Sequence, residues 1–371
     1  MTTDLHYMRR CFVLAELGRH TARPNPVVGC VLVKDGKVIG EGWHERAGQP
    51  HAEVNALVQA GAAARGATAY VSLEPCSHHG RTPPCADALI TGGVSKVVYG
   101  MQDPNPLVVG SGIERLLAAG IRVEGPLLEE AARALNPGFS KRMQHGLPWL
   151  RCKLAMSLDG RTAMASGESK WITGPEARAD VQTWRARSCA ILSGIDTILQ
   201  DDPALNVRMP GFSGEQPLRV IVDSHLRLPP AAATLQLPGA VLVACASGNP
   251  AALDAWRAAA NKAPASVEAL PFSTVAGRVD LRQLLQYLAV QKHCNEVLLE
   301  AGPTLASALL EAGLVDELLV YVAPSLLGDA ARPLLYLPGL QQLSERIRLQ
   351  FLDVAMVGKD CRMRSLVLPT R

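Results

Sequence analysis

Four residues in the first quarter of the chain have the types and the order that hydrolytic metal chemistry needs. His51 and Glu53 stand two apart in His51-Ala52-Glu53, at the start of a predicted helix. Cys76 follows Pro75 at the end of a predicted strand, and Cys85 opens the next helix after eight intervening residues. One imidazole and two thiolates would give a zinc ion three protein ligands and leave its fourth tetrahedral position for water, as in catalytic rather than structural sites. A metal so held makes water acidic enough to supply hydroxide near neutrality. Two thiolates and a neutral histidine cancel the charge of the ion, so a proton acceptor beside the water is still useful. Glu53 would take a proton from that water and pass protons to a departing amine. Helix starts at His51 and Cys85 would add partial positive charge near the thiolates and favour their ionised form. His78 and His79 are not needed as ligands, because three already suffice. The blander reading, a surface histidine and two small core cysteines, leaves the shared order of ligands and acid unexplained.

Such side chains need a scaffold, and the surrounding sequence alternates strand and helix signals. A β-branched run at 27–33 turns at Asp35-Gly36 into 37–42, a hairpin signature. Helical period follows from 51 to about 63, and an apolar strand at 69–73 ends at Glu74-Pro75. A short helix opens after Pro83-Pro84, since proline suits the first helical turn. A strand at 96–100, a helix near 111–119 and a strand at 121–123 complete the order β-β-α-β-α-β-α-β, which predicts a sheet sandwiched by helices. The N-terminal stretch has an amphipathic period (Leu5, Met8, Phe12, Ala15) broken by charges, unlike a signal peptide. A charged helical stretch over 127–144 leads to Gly146-Leu147-Pro148, the predicted boundary between domains at 1–146 and 147–371. Beyond it, strands at 149–156, 190–193, 218–222, 240–244 and 296–299 again alternate with helical stretches. The Ala- and Pro-rich region 229–271 reads as scaffold, and the chain has no fixed-period repeat.

Composition narrows the classes. A chain of 371 residues is comfortable for two domains, and 48% hydrophobic against 19% charged residues argues against wholesale disorder. Lys+Arg 37 against Asp+Glu 34 leaves a formal charge of +3, too weak for a surface that coats nucleic acid. No apolar run reaches bilayer-spanning length, so no membrane partner is expected. Nine scattered cysteines do not read as a disulfide framework, and a cytoplasmic, reducing setting fits them.

His-x-Glu followed by Pro-Cys resembles the signature of zinc deaminases, with one departure: Ser77 to Pro84 separate the cysteines where the signature has two residues. With that longer spacing, the blocks HAEVNAL and LEPCSHHGRTPPC, the upstream RPNPVVGCV and the downstream DPNP resemble the bifunctional deaminase–reductase of riboflavin biosynthesis. The resemblance runs from about Tyr7 to the C-terminal region. It implies that the first domain is a cytidine-deaminase-like α/β/α sandwich holding one Zn2+. Its substrate would be a small phosphorylated pyrimidine, a diaminopyrimidinone carrying phosphoribosylamine, whose 2-amino group is hydrolysed to give the uracil and ammonia. It further implies that Asn25, His44, Arg81, Asp103 and Asn105 line the substrate, with Arg81 near its phosphate. Many relatives carry Lys where this chain has Arg81, which keeps the charge and alters the hydrogen-bond geometry. Asn25 offers both a donor and an acceptor to a pyrimidine edge, although taken alone it reads as a turn asparagine between prolines.

Signals thin out in the second half. No G-x-G-x-x-G follows a strand there. The nearest approach, Gly110-Ser111-Gly112-Ile113-Glu114-Arg115, lies in the first domain, lacks the third glycine and reads as a helix-opening turn. Glu300-Ala301-Gly302-Pro303-Thr304 sits between an apolar strand and a helical run, where backbone N–H groups can bind phosphate. Residues 201–208 suit a surface loop, and Arg185 and Arg208 suit either a substrate phosphate or plain solvation.

The segments LAMSLDGRTA, SGESKWITG, DTILQDDPALNVR, VIVDS and LLEAGPTLASALL resemble the reductase domain of the same family. That implies a dihydrofolate-reductase-like α/β domain in which NADPH delivers hydride to the ribose C1′, turning ribosylamino into ribitylamino. On this resemblance Ala155, Trp171, Thr197, Asp201, Ser224, Gly302, Pro303, Thr304, Leu305, Ala306, Ser307 and Ala308 contact NADPH. Ser169, Arg185, Leu205, Arg208 and Glu300 contact the substrate. Ala301 stands where relatives often have a second glycine. Lys153 and Glu300 are candidate partners for the proton relay, and the residues alone do not decide between them. A homo-oligomer joined through the reductase domains is expected. Two competing readings are a nucleotide or tRNA deaminase with an appended domain and a non-enzymatic zinc module. The cysteine spacing and weak net charge count against the first, and Glu53 beside an open metal position counts against the second.

Overall fold

A computed structural model describes residues 2–77, 83–106, 108–246 and 250–369. The chain separates into two compact units, Met1–Leu147 with Ser213–Glu215, and Pro148–Phe212 with Gln216–Arg371.

The first unit is built on a sheet of β1 (Gly29–Lys34), β2 (Lys37–Trp43), β3 (Thr68–Val71), β4 (Lys96–Tyr99) and β5 (Arg122–Glu124), in the order β2-β1-β3-β4-β5. The β1–β2 hairpin closes through Asp35 and Gly36, both at positive φ, as the tight turn read from Asp-Gly requires. The pleat sorts alternate residues to opposite faces. Cys30, Leu32, Ala69, Val71 and Val97 pack with residues of α2 (Ala52–Ala60), α3 (Cys85–Thr91) and α4 (Ser111–Ala118). Val31, Val33, Tyr70 and Val98 pack against Tyr7, Met8, Cys11 and Leu14 of α1 (Thr2–Leu17). The result is an α/β/α sandwich of the cytidine-deaminase-like kind.

One predicted helix proves to be two. The stretch 127–144 breaks into α5 (Glu129–Leu135) and α6 (Pro137–His145). Pro137 has no N–H to continue the ladder. Asn136 is drawn aside because its side chain accepts from Val27 N at 2.8 Å and donates to Val27 O at 2.8 Å.

The second unit is built on a nine-stranded sheet in the order Ser266–Phe272, Ala240–Ala246, Leu218–Val222, Ala190–Gly194, Glu296–Glu300, β6 (Trp149–Ser157), Glu317–Ala323, Asp360–Val367 and Leu349–Val357. The first seven are parallel to one another; Asp360–Val367 then pairs antiparallel with Glu317–Ala323 and with Leu349–Val357, forming a hairpin at the edge. This is a mixed α/β architecture of the dihydrofolate-reductase-like kind. Four of its strands lie outside those read from sequence. Glu317–Ala323 is buried along its whole length, so it lacks the polar alternation that marks a half-buried strand. Charge also enters this core: Arg151 on β6, 1% exposed, pairs with Glu296 at 2.9 Å and Glu317 at 2.8 Å beneath the Trp184 ring. Among the described residues no helix is long and apolar enough to cross a membrane.

Candidate active sites

In the first unit, His51 is the residue from which α2 departs, and its imidazole does not cap that helix. Nδ1 instead lies 3.1 Å from Cys85 Sγ and 3.7 Å from Cys76 Sγ. Cys85 begins α3 directly after Pro84, and its backbone N–H donates to Cys76 Sγ at 3.4 Å. The three ligand atoms lie within 4.8 Å of one another, a donor set of one imidazole and two sulfurs that fits zinc. A hydrogen bond from Cys85 and another with His51 hold the Cys76 thiol down at about 4, while Cys85, which shares the proton, is pushed up. Glu53, 3% exposed in the first turn of α2, is raised to about 7 by burial and by the nearby Cys76 charge. A carboxyl so placed can hold or release a proton near neutrality.

His51, Glu53 and Cys76 line a cavity of about 430 Å3 together with Asn25, His44, Asp103 and Asn105. His44 Nδ1 lies 3.2 Å from the Pro50 carbonyl, which can only accept, so Nδ1 carries the proton. Nε2 then accepts from Asn25 Nδ2 at 3.0 Å, which leaves the Asn25 carbonyl as the acceptor for a ligand. Burial lowers the pKa of His44, in keeping with the neutral ring that this chain of bonds needs. Asp103 accepts from Asn105 N at 2.8 Å, and burial raises its carboxyl to about 6. Arg81, His78 and His79 lie outside the described residues.

Sequence reasoning passed over Glu74, although it stands two residues before Cys76. It is 3% exposed, and its carboxylate accepts from four backbone amides: Asp103 at 3.2 Å, Gly110 at 3.1 Å, Gly112 at 3.1 Å and Ile113 at 3.4 Å. Glu74 therefore ties the Cys76 loop to the loop of Asp103 and to the start of α4. The Gly110-Ser111-Gly112 turn opens α4, as expected. A Cβ on Gly112 would come within 1.9 Å of the Pro75 carbonyl, so this helix lies against the backbone that presents Cys76. Gln49, Phe139 and Arg142 also line the cavity and carried no motif that could have marked them.

In the second unit, Arg185 on α7 (Pro175–Arg187) donates to both oxygens of Glu300, from Nε at 2.6 Å and Nη2 at 2.8 Å, and to Asn206 O at 2.9 Å. Of the two arginines read as phosphate candidates, Arg185 is thus committed to a buried ion pair. Arg208 is exposed, with Nη1 donating to Asn206 Oδ1 at 3.0 Å. Lys153 on β6 is the cross-strand neighbour of Glu300. Burial pushes Lys153 down. Burial also works against the Glu300 carboxylate, but Arg185 and then Lys153 outweigh it and hold its pKa below the usual range. Leu205 is buried beside Asn206, and Ser169 is half-buried.

The NADPH candidates divide. Ser224, Thr304, Leu305 and Ala308 line a cavity of about 220 Å3. Ala155, Trp171, Thr197, Asp201, Gly302, Pro303, Ala306 and Ser307 do not line it. Gly302 N donates to Thr197 Oγ1 at 3.1 Å and Pro303 has no N–H, so Thr304 and Leu305 supply the first-turn amides of the helix Pro303–Glu311. Ala306 and Ser307 face the interior, Ser307 accepting from Tyr336 N at 2.7 Å. Trp171 is 70% exposed beneath the Arg178 guanidinium, and Ala155 packs against the α7 core.

Residues 1–101 match the cytidine and deoxycytidylate deaminase zinc-binding region, and residues 148–362 match the RibD C-terminal domain. The molecule is therefore of the class that joins a zinc-type deaminase unit to a reductase unit in one chain. It is 51% identical over 368 residues to the riboflavin biosynthesis protein RibD of Escherichia coli K12, covering 96% of this chain and 97% of that one. The structure is similar to Acinetobacter baumannii RibD (TM-score 0.91, 47% identity) and to a diaminohydroxyphosphoribosylaminopyrimidine deaminase/5-amino-6-(5-phosphoribosylamino)uracil reductase from Thermotoga maritima (TM-score 0.85, 31% identity), each match covering 99% of both chains. The chain belongs to the RibD family, the bifunctional deaminase–reductases of riboflavin biosynthesis.

Proposed function

We propose that residues 1–146 hydrolyse the 2-amino group of 2,5-diamino-6-(5-phosphoribosylamino)pyrimidin-4-one, and that residues 147–371 then reduce the ribosyl side chain of the product to ribityl with NADPH. The observation that carries the reading is the convergence of His51, Cys76 and Cys85, with His51, Cys76 and the buried Glu53 lining a 430 Å3 cavity.

One zinc ion held by His51, Cys76 and Cys85 would supply a Lewis acid that makes water acidic near neutral pH. Glu53 would take a proton from the attacking water and return protons to the amine, so that water enters and ammonia leaves. Asn25, oriented by His44, accepts from a ring N–H, and Asp103 and Asn105 complete the polar wall. Arg81 is assigned to the substrate phosphate. In the second unit NADPH would supply a hydride to C1′ of the opened sugar. Ser224 and the 302–308 turn hold the cofactor, with Ala155, Trp171, Thr197 and Asp201 as its further contacts. Ser169, Leu205, Arg208 and the Arg185–Glu300 pair hold the pyrimidine substrate. Lys153, whose pKa burial lowers from the usual lysine value, is the group beside Glu300 proposed to move a proton.

The chain works in the cytoplasm as a homo-oligomer joined through its reductase units. Support for that assembly comes from the edge strand Leu349–Val357, which exposes Phe351, Val354 and Met356. Sedimentation of the purified protein tests it, and a monomer at micromolar concentration would refute it. For the chemistry, the protein is incubated separately with the phosphoribosylaminopyrimidine, cytidine and RNA while ammonia and NADPH absorbance are followed. Ammonia from the first alone, followed by NADPH oxidation, is expected. Ammonia from cytidine or RNA and none from the first would overturn the reading.

A further inference from the structure

The 220 Å3 cavity of the second unit is lined by charged groups that carry no role so far. Beside Ser224 and the turn of Thr304, Leu305 and Ala308, its lining includes Asp196, His225, Arg227 and Arg278. Arg227 Nη2 donates to Asp196 Oδ1 at 2.7 Å. Ser224 Oγ accepts from Val279 N at 3.2 Å, which ties the loop of Arg227 to the segment of Arg278. Two guanidiniums therefore border one small cavity.

NADPH and NADH differ only in a phosphate on the adenosine 2′-oxygen. A site built for NADH holds that ribose with a carboxylate that accepts from its hydroxyls, whereas a site built for NADPH sets an arginine there. Among the described residues Asp196 is the single carboxylate lining this cavity, and Arg227 engages its Oδ1. An acid so paired repels a phosphate less than a lone carboxylate would. The guanidinium fork, unlike an ammonium, can meet two phosphate oxygens at once.

We propose that Arg227 and Arg278 bind the 2′-phosphate of NADPH, with Asp196 holding Arg227 in position, and that this pair sets the preference for NADPH over NADH. The inference rests on the reading that the second unit binds a nicotinamide dinucleotide. Both arginines are exposed, so their replacement leaves the core intact.

The test uses the full chain and calorimetric titration with 2′,5′-ADP and with 5′-ADP, beside kinetics with NADPH and NADH. Wild type should bind 2′,5′-ADP about tenfold or more tighter than 5′-ADP. Arg227→Gln and Arg278→Gln should each shrink that ratio severalfold, and the double variant should bring it close to one. The ratio of kcat/KM for NADPH over NADH should fall in parallel, and Arg227→Lys should recover part of both. A double variant with the wild-type ratio overturns the proposal while leaving the reductase reading intact. A wild type that binds neither nucleotide and oxidises neither dinucleotide overturns both.

Discussion

The two cavities are built in different ways. In the first unit the reactive groups are side chains delivered by three separate chain segments: His51 and Glu53 from the start of α2, Cys76 from the loop after β3, and Cys85 from the start of α3. In the second, the groups on which the proposed function rests are a helix-opening turn at the cavity and, apart from that cavity's lining, a bidentate Arg185–Glu300 pair and a lysine on the neighbouring strand. The contrast follows from where the chemistry resides. A metal must be held by particular side chains in a particular geometry, so a metal site constrains residue type. A dinucleotide brings its own reactive atom, and the protein supplies shape, backbone donors and charge, which many sequences can provide.

The sharpest way to break this comparison is Cys85→Ser. A neutral hydroxyl is a poor replacement for thiolate. Metal analysis should show zinc lost and deamination abolished, with reduction of the pre-deaminated uracil preserved. Full zinc with normal turnover would reduce Cys85 to a core residue.

Arg185→Ala should fall almost as hard, on the other unit. Removing one partner strands Glu300, 12% exposed, without its bidentate donor, at a cost of about 3–5 kcal/mol. Chemical denaturation followed at the second unit reports this, and an unchanged midpoint would mean the pair contributes little.

Glu53→Gln keeps the shape of the side chain and removes the base. Zinc should stay bound while ammonia release drops by about two orders of magnitude or more. Undiminished activity at full metal content would sink the assigned role.

Gly112→Ala probes whether the first site depends on more than its ligands. The added methyl meets the Pro75 carbonyl, so α4 or the Cys76 loop must move. A cost of about 1–3 kcal/mol in stability and weakened zinc retention are expected in a chelator competition, whereas Ala at Gly110 meets no neighbouring atom and strains only the positive φ. Equal zinc retention in wild type and Gly112→Ala would show that the contact does not bear on the metal.

The smallest effect is expected from Arg208→Ala. It should raise the KM for the pyrimidine substrate severalfold and leave that for NADPH nearly unchanged. A larger change in the NADPH value would move Arg208 to the cofactor side.

Some features of this molecule are local and could be read directly. Asp35-Gly36 closes a hairpin because both residues tolerate positive φ, and Pro84 precedes α3 because the first helical turn needs no donated N–H. The proposed zinc ligands belong here too, since few residue types other than histidine and cysteine can replace them and their order survives in one dimension. Other features depend on partners far along the chain. Asn136 divides α5 from α6 because Val27, 109 residues away, takes both ends of its amide. Glu74 finds its amides up to 39 residues on, and Gly112 is required by the Pro75 carbonyl. Glu300 meets Arg185 across 115 residues, and Lys153 faces Glu300 only because β6 and the strand Glu296–Glu300 are neighbours in the sheet. Residue type can announce a metal site and a turn, because the energy that selects them is spent within a few residues. Hydrogen-bond partners of a buried carboxylate, the far side of a glycine and the neighbour of a strand are set by packing, and only the folded chain decides them.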